Sequence, residues 1–263
     1  MSEADAVAIV LFVGLTMYAV FGGADFGAGL WSLLAGGGEL GRRPRQMIDS
    51  AIGPVWEANH VWLIFVLVVL WTGFSSAFEA IFSTLFIPLS LAAVGIVLRG
   101  SGFAFHHTAR TARGRDAAQL LFGLSSILTP FFMGTVVGAI AAGNVPAEGN
   151  GDAFSSWLQP LPLLIGAMFV ASGGYLAAVF LVGDARRGAR PLAVGAVAAL
   201  IWAWGVAQHP YLLPKQLTIA DAAAPDATMV IVFVVFAVAA VVVLPSLGLL
   251  YTLAQKDLLE SEH

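Results

Sequence analysis

The 263-residue chain is 59% hydrophobic and 11% charged, with a formal net charge of −4 and a mean hydropathy of +0.88. Soluble domains carry roughly a quarter charged residues, so this composition excludes a soluble enzyme or a nucleic-acid-binding module and implies an integral membrane protein. The absence of cysteine excludes disulfides, thiolate catalysis, iron–sulfur clusters and cysteine zinc sites.

A helix needs roughly 20 apolar residues to cross the hydrocarbon core. Seven stretches meet that length, at 6–35, 50–73, 77–99, 117–143, 158–182, 190–208 and 228–254. They are long and lack the alternation of strands, so helices are predicted and the fold class is all-α. The acidic segment Met1–Asp5 does not read as the start of a cleavable signal. Gly23 and Gly27 in the first span, like Gly134 and Gly138 in the fourth, have the spacing that lets helix backbones approach closely. Pro88, Pro130 and Pro245 fall inside spans, where a bundle tolerates kinks.

Basic residues sort by side. Arg42, Arg43, Arg45, Arg99, Arg110, Arg113, Arg115, Arg186, Arg187, Arg190 and Lys256 share one side of the alternating topology; Lys215 alone takes the other. The positive-inside rule then predicts an outer N-terminus and a cytoplasmic C-terminus. The first four helices are expected to form a bundle over 1–143, with a shorter second half over 144–263.

Two acids lie within spans rather than at their ends. Asp25 sits in "FGGADFGAGL" and Glu57 in "GPVWEANHVWLI", and the alternating topology puts both in the cytoplasmic half of the membrane. An ionisable group there costs on the order of 3 kcal/mol, so it marks a pathway or a site by default. Glu57 and His60 are three residues apart on one helix face, with Asn59 beside them, and Pro54 suits the first turn. Carboxyl and imidazole groups in such surroundings are suited to exchanging protons. The plainer reading is that a buried acid is packing glue, neutral and hydrogen-bonded. His60 is the one histidine inside a span, so no intramembrane histidine pair is predicted to grip a haem iron; no metal site, nucleotide loop or nucleophile elbow is present in the pattern. The chain reads as a proton-handling membrane subunit that needs a partner.

The motifs "GGADFGAG" (22–29), "IGPVWEANHVWLI" (52–64), "LRGSGFAFH" (98–106) and "HPYLLPKQLTIADAAAPDATM" (209–229) occur in an order and spacing that resembles subunit II of the cytochrome bd-type quinol oxidases. The resemblance implies a larger subunit I as partner, carrying b-type and d-type haems and the quinol site. It implies a bacterial cytoplasmic-membrane complex that oxidises quinol, reduces dioxygen to water and draws protons from the cytoplasm. No cofactor is expected on this chain itself; the resemblance allows a bound quinone or lipid and small accessory subunits. It further implies that Glu57 relays protons, that Asn59 and His60 hydrogen-bond along the path and that Asp25 sits near its mouth. Gly23, Gly27, Pro54, Trp56, Trp62, Arg99 and Gly100 complete the matching motifs.

Three features depart from the family pattern. The family has about nine spans against the seven here, with the shortening expected between the fifth span and the one ending near His209. Gly22 stands where an acid is frequent, and Ala104 and His106 stand where an acid and an arginine are usual. The alternative reading is a stand-alone proton-coupled transporter or channel, which intramembrane acids and glycine-rich segments also suit.

Overall fold

The computed structural model describes residues 2–36, 59–108, 111–181 and 189–255. Helix α1 (Glu3–Leu34) begins with a reciprocal cap: the Asp5 amide donates to Ser2 Oγ at 3.1 Å, and the Ser2 amide donates to Asp5 Oδ2 at 2.9 Å. At ~1.5 Å per residue its 32 residues exceed the thickness of a bilayer core. Helix α2 (Asn59–Gly73) turns through 116° into α3 (Ser75–Thr84). Then follow α4 (Phe86–Thr108), α5 (Ala112–Ala141), α6 (Pro160–Leu181), α7 (Ala189–Gln208), the four-residue α8 (Ile219–Ala222) and α9 (Asp226–Gln255).

Helices follow five of the seven predicted stretches closely; the second, 50–73, is helical from Asn59 and lies outside the described residues before that, and the third differs. Residues 77–99 are not one helix, because the chain leaves helical geometry at Leu85 (φ −106°, ψ 28°). The physical reason lies in what α3 buries. Its Ala77, Ala80, Ile81 and Thr84 form one buried face. The Ser83 and Thr84 hydroxyls accept the Asn150 and Gly151 amides at 3.0 and 3.1 Å, tying α3 to the loop after α5. A continuous helix would tear those contacts apart. Among the described residues, α1, Ala117–Ala141 of α5, α6 and α7 are long and apolar enough to cross a membrane, and the bent α2–α3 pair counts as a fifth. Phe86–Gly102 of α4 and Asp226–Val242 of α9 are shorter apolar stretches.

A small departure from an all-helical chain follows α7. Strands β1 (Tyr211–Leu213) and β2 (Leu217–Thr218) pair antiparallel, with Tyr211 opposite Thr218 and Leu213 opposite Leu217. Leu213 is fully buried against Ala80, Ile81, Leu85, Ile140 and Trp157. That position lets the hairpin cover the ends of α3 and α5.

Among the described residues, α4 packs closely on α5, and α6 packs closely on both α1 and α5. Glycines explain the approach. A Cβ on Gly27 would collide with the Gly173 carbonyl, and one on Gly138 would come within 2.6 Å of Pro162 Cα. Trp31 Nε1 donates to the Gly174 carbonyl at 2.8 Å, adding a polar link between α1 and α6. At the end of the bundle holding the N-terminus, Val7, Val66, Phe74, Ile219 and Met229 share one apolar cluster. The outward faces stay apolar: Val61, Ile64, Val68 and Trp71 form a stripe along α2 at helical spacing.

Candidate functional site

The polar core begins with Asp25. It lies past the middle of α1, in a glycine-rich turn where small side chains leave room for long ones from other helices. Its carboxylate is fully buried, and Arg99 on α4 is 1% exposed. Arg99 Nη2 donates to Asp25 Oδ1 at 2.6 Å and to the Asp25 carbonyl at 2.9 Å. Its Nη1 donates to Ser126 Oγ on α5, and that hydroxyl in turn donates to the Phe122 carbonyl at 2.6 Å. The guanidinium carbon sits 4.2 Å from the Phe122 ring centroid and 5.0 Å from that of Phe26, where aromatic faces stabilise a cation.

Asn59, 1% exposed at the start of the described part of α2, closes the site from a third direction. Its Nδ2 donates to Asp25 Oδ2 at 3.3 Å. Its Oδ1 is buried without a hydrogen-bond partner among the described residues, as are Arg99 Nε and Thr129 Oγ1. Gly22 makes this arrangement possible, because a Cβ there would lie 2.8 Å from Asn59 Oδ1. Gly29 does the same for Arg99, since a Cβ would strike Ser126 Oγ. The result is a buried ion pair with a neutral amide attached to its outer carboxylate oxygen. Losing one partner of such a pair costs ~3–5 kcal/mol, because the other is left as an uncompensated charge.

The predicted residues fall into three groups. Asp25, Asn59 and Arg99 are brought together. His60 follows Asn59 on α2 and is half-buried, and Trp62 is half-buried with its ring edge-on to Phe65 at 5.7 Å. Glu57, Pro54 and Trp56 lie outside the described residues, and so does the predicted contact between Glu57 and His60. Gly23 approaches Leu176 of α6, and Gly27 meets the α6 backbone, whereas a Cβ on Gly100 would meet nothing within 4 Å.

Arg99 departs most from expectation. As a sequence feature it counts among the basic residues flanking a loop, yet it is a buried part of the site. The signal was available: a cation at the end of an apolar run needs a buried anion or an interface, and Asp25 is an unpaired anion at matching depth. Ser126, Phe26 and Phe122 carried no such signal, since hydroxyl and aromatic residues are ordinary in apolar helices.

Compared with known proteins, residues 4–190 and 183–254 match the family described as cytochrome bd terminal oxidase subunit II. The chain belongs to this family. The two matching stretches overlap at 183–190, a range that ends in the first residues of α7. The chain is 28% identical over 206 residues to the cytochrome bd-I ubiquinol oxidase subunit 2 of Escherichia coli (strain K12), covering 73% of this chain and 51% of that one. It is 28% identical over 127 residues to the cytochrome bd ubiquinol oxidase subunit 2 of Bacillus subtilis (strain 168), covering 48% of this chain and 36% of that one. The subunit II chain thus spans about half the length, or less, of these curated relatives. The solved bd oxidase of Geobacillus thermodenitrificans superposes with a TM-score of 0.75 at 23% identity, over 96% of this chain and 98% of that one, which shows the shared helical membrane fold.

Proposed function

We propose that the chain is subunit II of a cytochrome bd-type quinol:oxygen oxidoreductase, paired with a larger haem-bearing subunit I in a bacterial cytoplasmic membrane. Its role is to hold that partner and to line a proton path from the cytoplasm with Asp25, Asn59, His60 and Glu57. The observation that carries the reading is the buried Asp25–Arg99–Asn59 cluster inside this family's fold: three polar groups from three helices, 0–1% exposed, where lipid-facing residues would be apolar.

A crossing of seven helices, with the N-terminus outside, fits the contacts at one end of the bundle. The Ala224 amide donates to the Gly73 carbonyl at 2.8 Å, the Asn150 amide to Ser83 Oγ at 3.0 Å, and His209 Nε2 stands 3.8 Å from Asp5 Oδ1. The N-terminus, the α2–α3 turn and the loops after α5 and α7 therefore share a side. Lys215 lies on that side, and the positive-inside rule makes it the outer one. The shortening relative to longer family members is assigned to the α6–α7 junction, where the two stretches of the family match overlap.

Quinol oxidation supplies electrons, and dioxygen takes up one proton for each electron as it becomes water. Haem chemistry belongs to the partner in this reading. Among the described residues no group of three or more His, Asp or Glu side chains could hold a metal ion. What this chain contributes is a hydrated polar route through an apolar bundle, with Glu57 as the group that gains and loses the proton and Asn59 and His60 as its hydrogen-bonding neighbours.

The test is purification through a tag on this chain. A second, larger polypeptide, haem absorption and quinol-dependent oxygen consumption are the expected results, with Glu57→Gln slowing oxygen consumption at unchanged haem content. Recovery of this chain alone, with solute-dependent proton flux in vesicles, would instead support the transporter reading.

A further inference from the structure

We propose that Arg99 is a positioning residue: it holds Asp25 as a fixed anion rather than a proton carrier, and the fixed carboxylate orients the Asn59 amide. The inference rests on the proton path proposed above and divides the labour along it.

The geometry of Arg99 leads to this. A guanidinium does not release its proton under biological conditions. This one is anchored at three oxygens, Asp25 Oδ1, the Asp25 carbonyl and Ser126 Oγ, and is flanked by two aromatic rings. Arg99 Nη2 holds Asp25 Oδ1 and Asn59 Nδ2 holds Oδ2, so the carboxylate cannot swing away without losing two hydrogen bonds at once. A group that shuttles protons must alternate between donor and acceptor, and must turn or exchange partners. Asp25 is denied both movements. Its pairing with an obligate cation makes the site electroneutral only while the carboxylate is ionised.

The consequence passes to Asn59. An ionised carboxylate accepts hydrogen bonds and donates none. The amide group next to Asp25 Oδ2 must therefore be the NH2, which is the orientation observed at 3.3 Å. Asn59 Oδ1 is then turned away from Asp25, beside the α1 backbone at Gly22, as a buried acceptor with no partner among the described residues. A buried acceptor in that state calls for a donor, and we assign that donor as a bound water of the path. Arg99 would thus set the polarity of the amide two contacts away: cation, anion, amide nitrogen, amide oxygen, water.

The experiment compares Asp25→Asn, Arg99→Gln, the double change Asp25→Asn/Arg99→Gln, Arg99→Lys and Asn59→Leu in the complex purified through this chain. Apparent melting temperature and yield report on the pair; turnover per haem reports on the path. Each single neutralisation is expected to lower yield at least twofold and to lower the melting temperature. The double change is expected to recover most of both while turnover stays low, because no fixed carboxylate is left to orient Asn59. Arg99→Lys keeps the charge but not the planar fork, so it is expected to hold yield while turnover falls severalfold. Asn59→Leu is expected to cut turnover about tenfold at unchanged yield. A double change that regains full turnover would show that the path needs no fixed carboxylate beside Asn59 and overturn the proposal. Additive losses of melting temperature, full turnover in Arg99→Lys, or full turnover in Asn59→Leu would each overturn it as well. If the unaltered complex lacks haem and oxygen consumption, the oxidase reading fails, while the melting-temperature cycle still decides whether Asp25 and Arg99 act as one unit.

Discussion

Gly27 of α1 and Gly173 of α6 meet backbone to backbone, with no room for a Cβ between them. The contact sits two residues along α1 from Asp25, so it sets how deeply the polar core is enclosed. Gly27→Val would force α1 and α6 apart. Overpacking of this kind costs ~1–3 kcal/mol, and the upper end is expected because the obstacle is a main-chain carbonyl rather than a movable side chain. A clear fall in melting temperature of the detergent-solubilised chain is the measurement; an unchanged value would mean the helices pack elsewhere.

Gly100 provides the contrast. It belongs to the same group of motif glycines, yet a Cβ added there would meet nothing within 4 Å among the described residues. Gly100→Ala should leave stability unchanged or raise it by up to ~1 kcal/mol through helix propensity alone. Thermal unfolding beside Gly27→Val separates a glycine needed for close approach from one that is not.

Thr84 links α3 to the loop after α5 through the Gly151 amide at 3.1 Å, and its side chain is fully buried. Thr84→Val preserves shape and removes the acceptor. The expected loss is about 1 kcal/mol, with faster hydrogen exchange at Gly151. Exchange at the Asn150 amide, held by Ser83 Oγ, should change less.

Asp152 carries a pH dependence of known sign. Its Oδ1 accepts the Ser155 amide at 2.6 Å and the Phe154 amide at 3.0 Å, and these bonds, the Ser155 one foremost, hold its carboxyl below the usual range. A lowered folded-state pKa means that the stabilisation is present above the ordinary carboxylate pKa and is lost as pH falls through the depressed value. Amide exchange over 152–158, corrected for its intrinsic pH dependence, should stay protected at neutral pH and accelerate only in strong acid. Asp152→Asn should abolish that transition.

Much of the helical layout was legible because crossing a bilayer is a demand on consecutive residues. Five apolar runs became helices within a few residues of their expected ends, since hydropathy is summed along the chain and needs no knowledge of neighbours. The third run misled for the same reason. Residues 77–99 are apolar throughout, but α3 folds away at Leu85 because Ser83 and Thr84 find partners in a loop more than sixty residues later. Hydropathy has no access to that pairing.

Asp25 and Asn59 were recognisable as out of place in an apolar helix, and their identity alone marked them. What they touch was not recoverable in one dimension. Arg99 looks like a loop-flanking cation until α4 is laid against α1, when it becomes the counter-ion of Asp25. By itself the sequence determined that this protein lives in a membrane and which family's motifs it carries, because each is a property of composition or of order along the chain. Only the tertiary structure decided that the buried acid is paired, by which residue, and which way the neighbouring amide faces. Those facts depend on distances between helices, and an ion pair's energy changes steeply over a few ångströms that sequence separation does not measure.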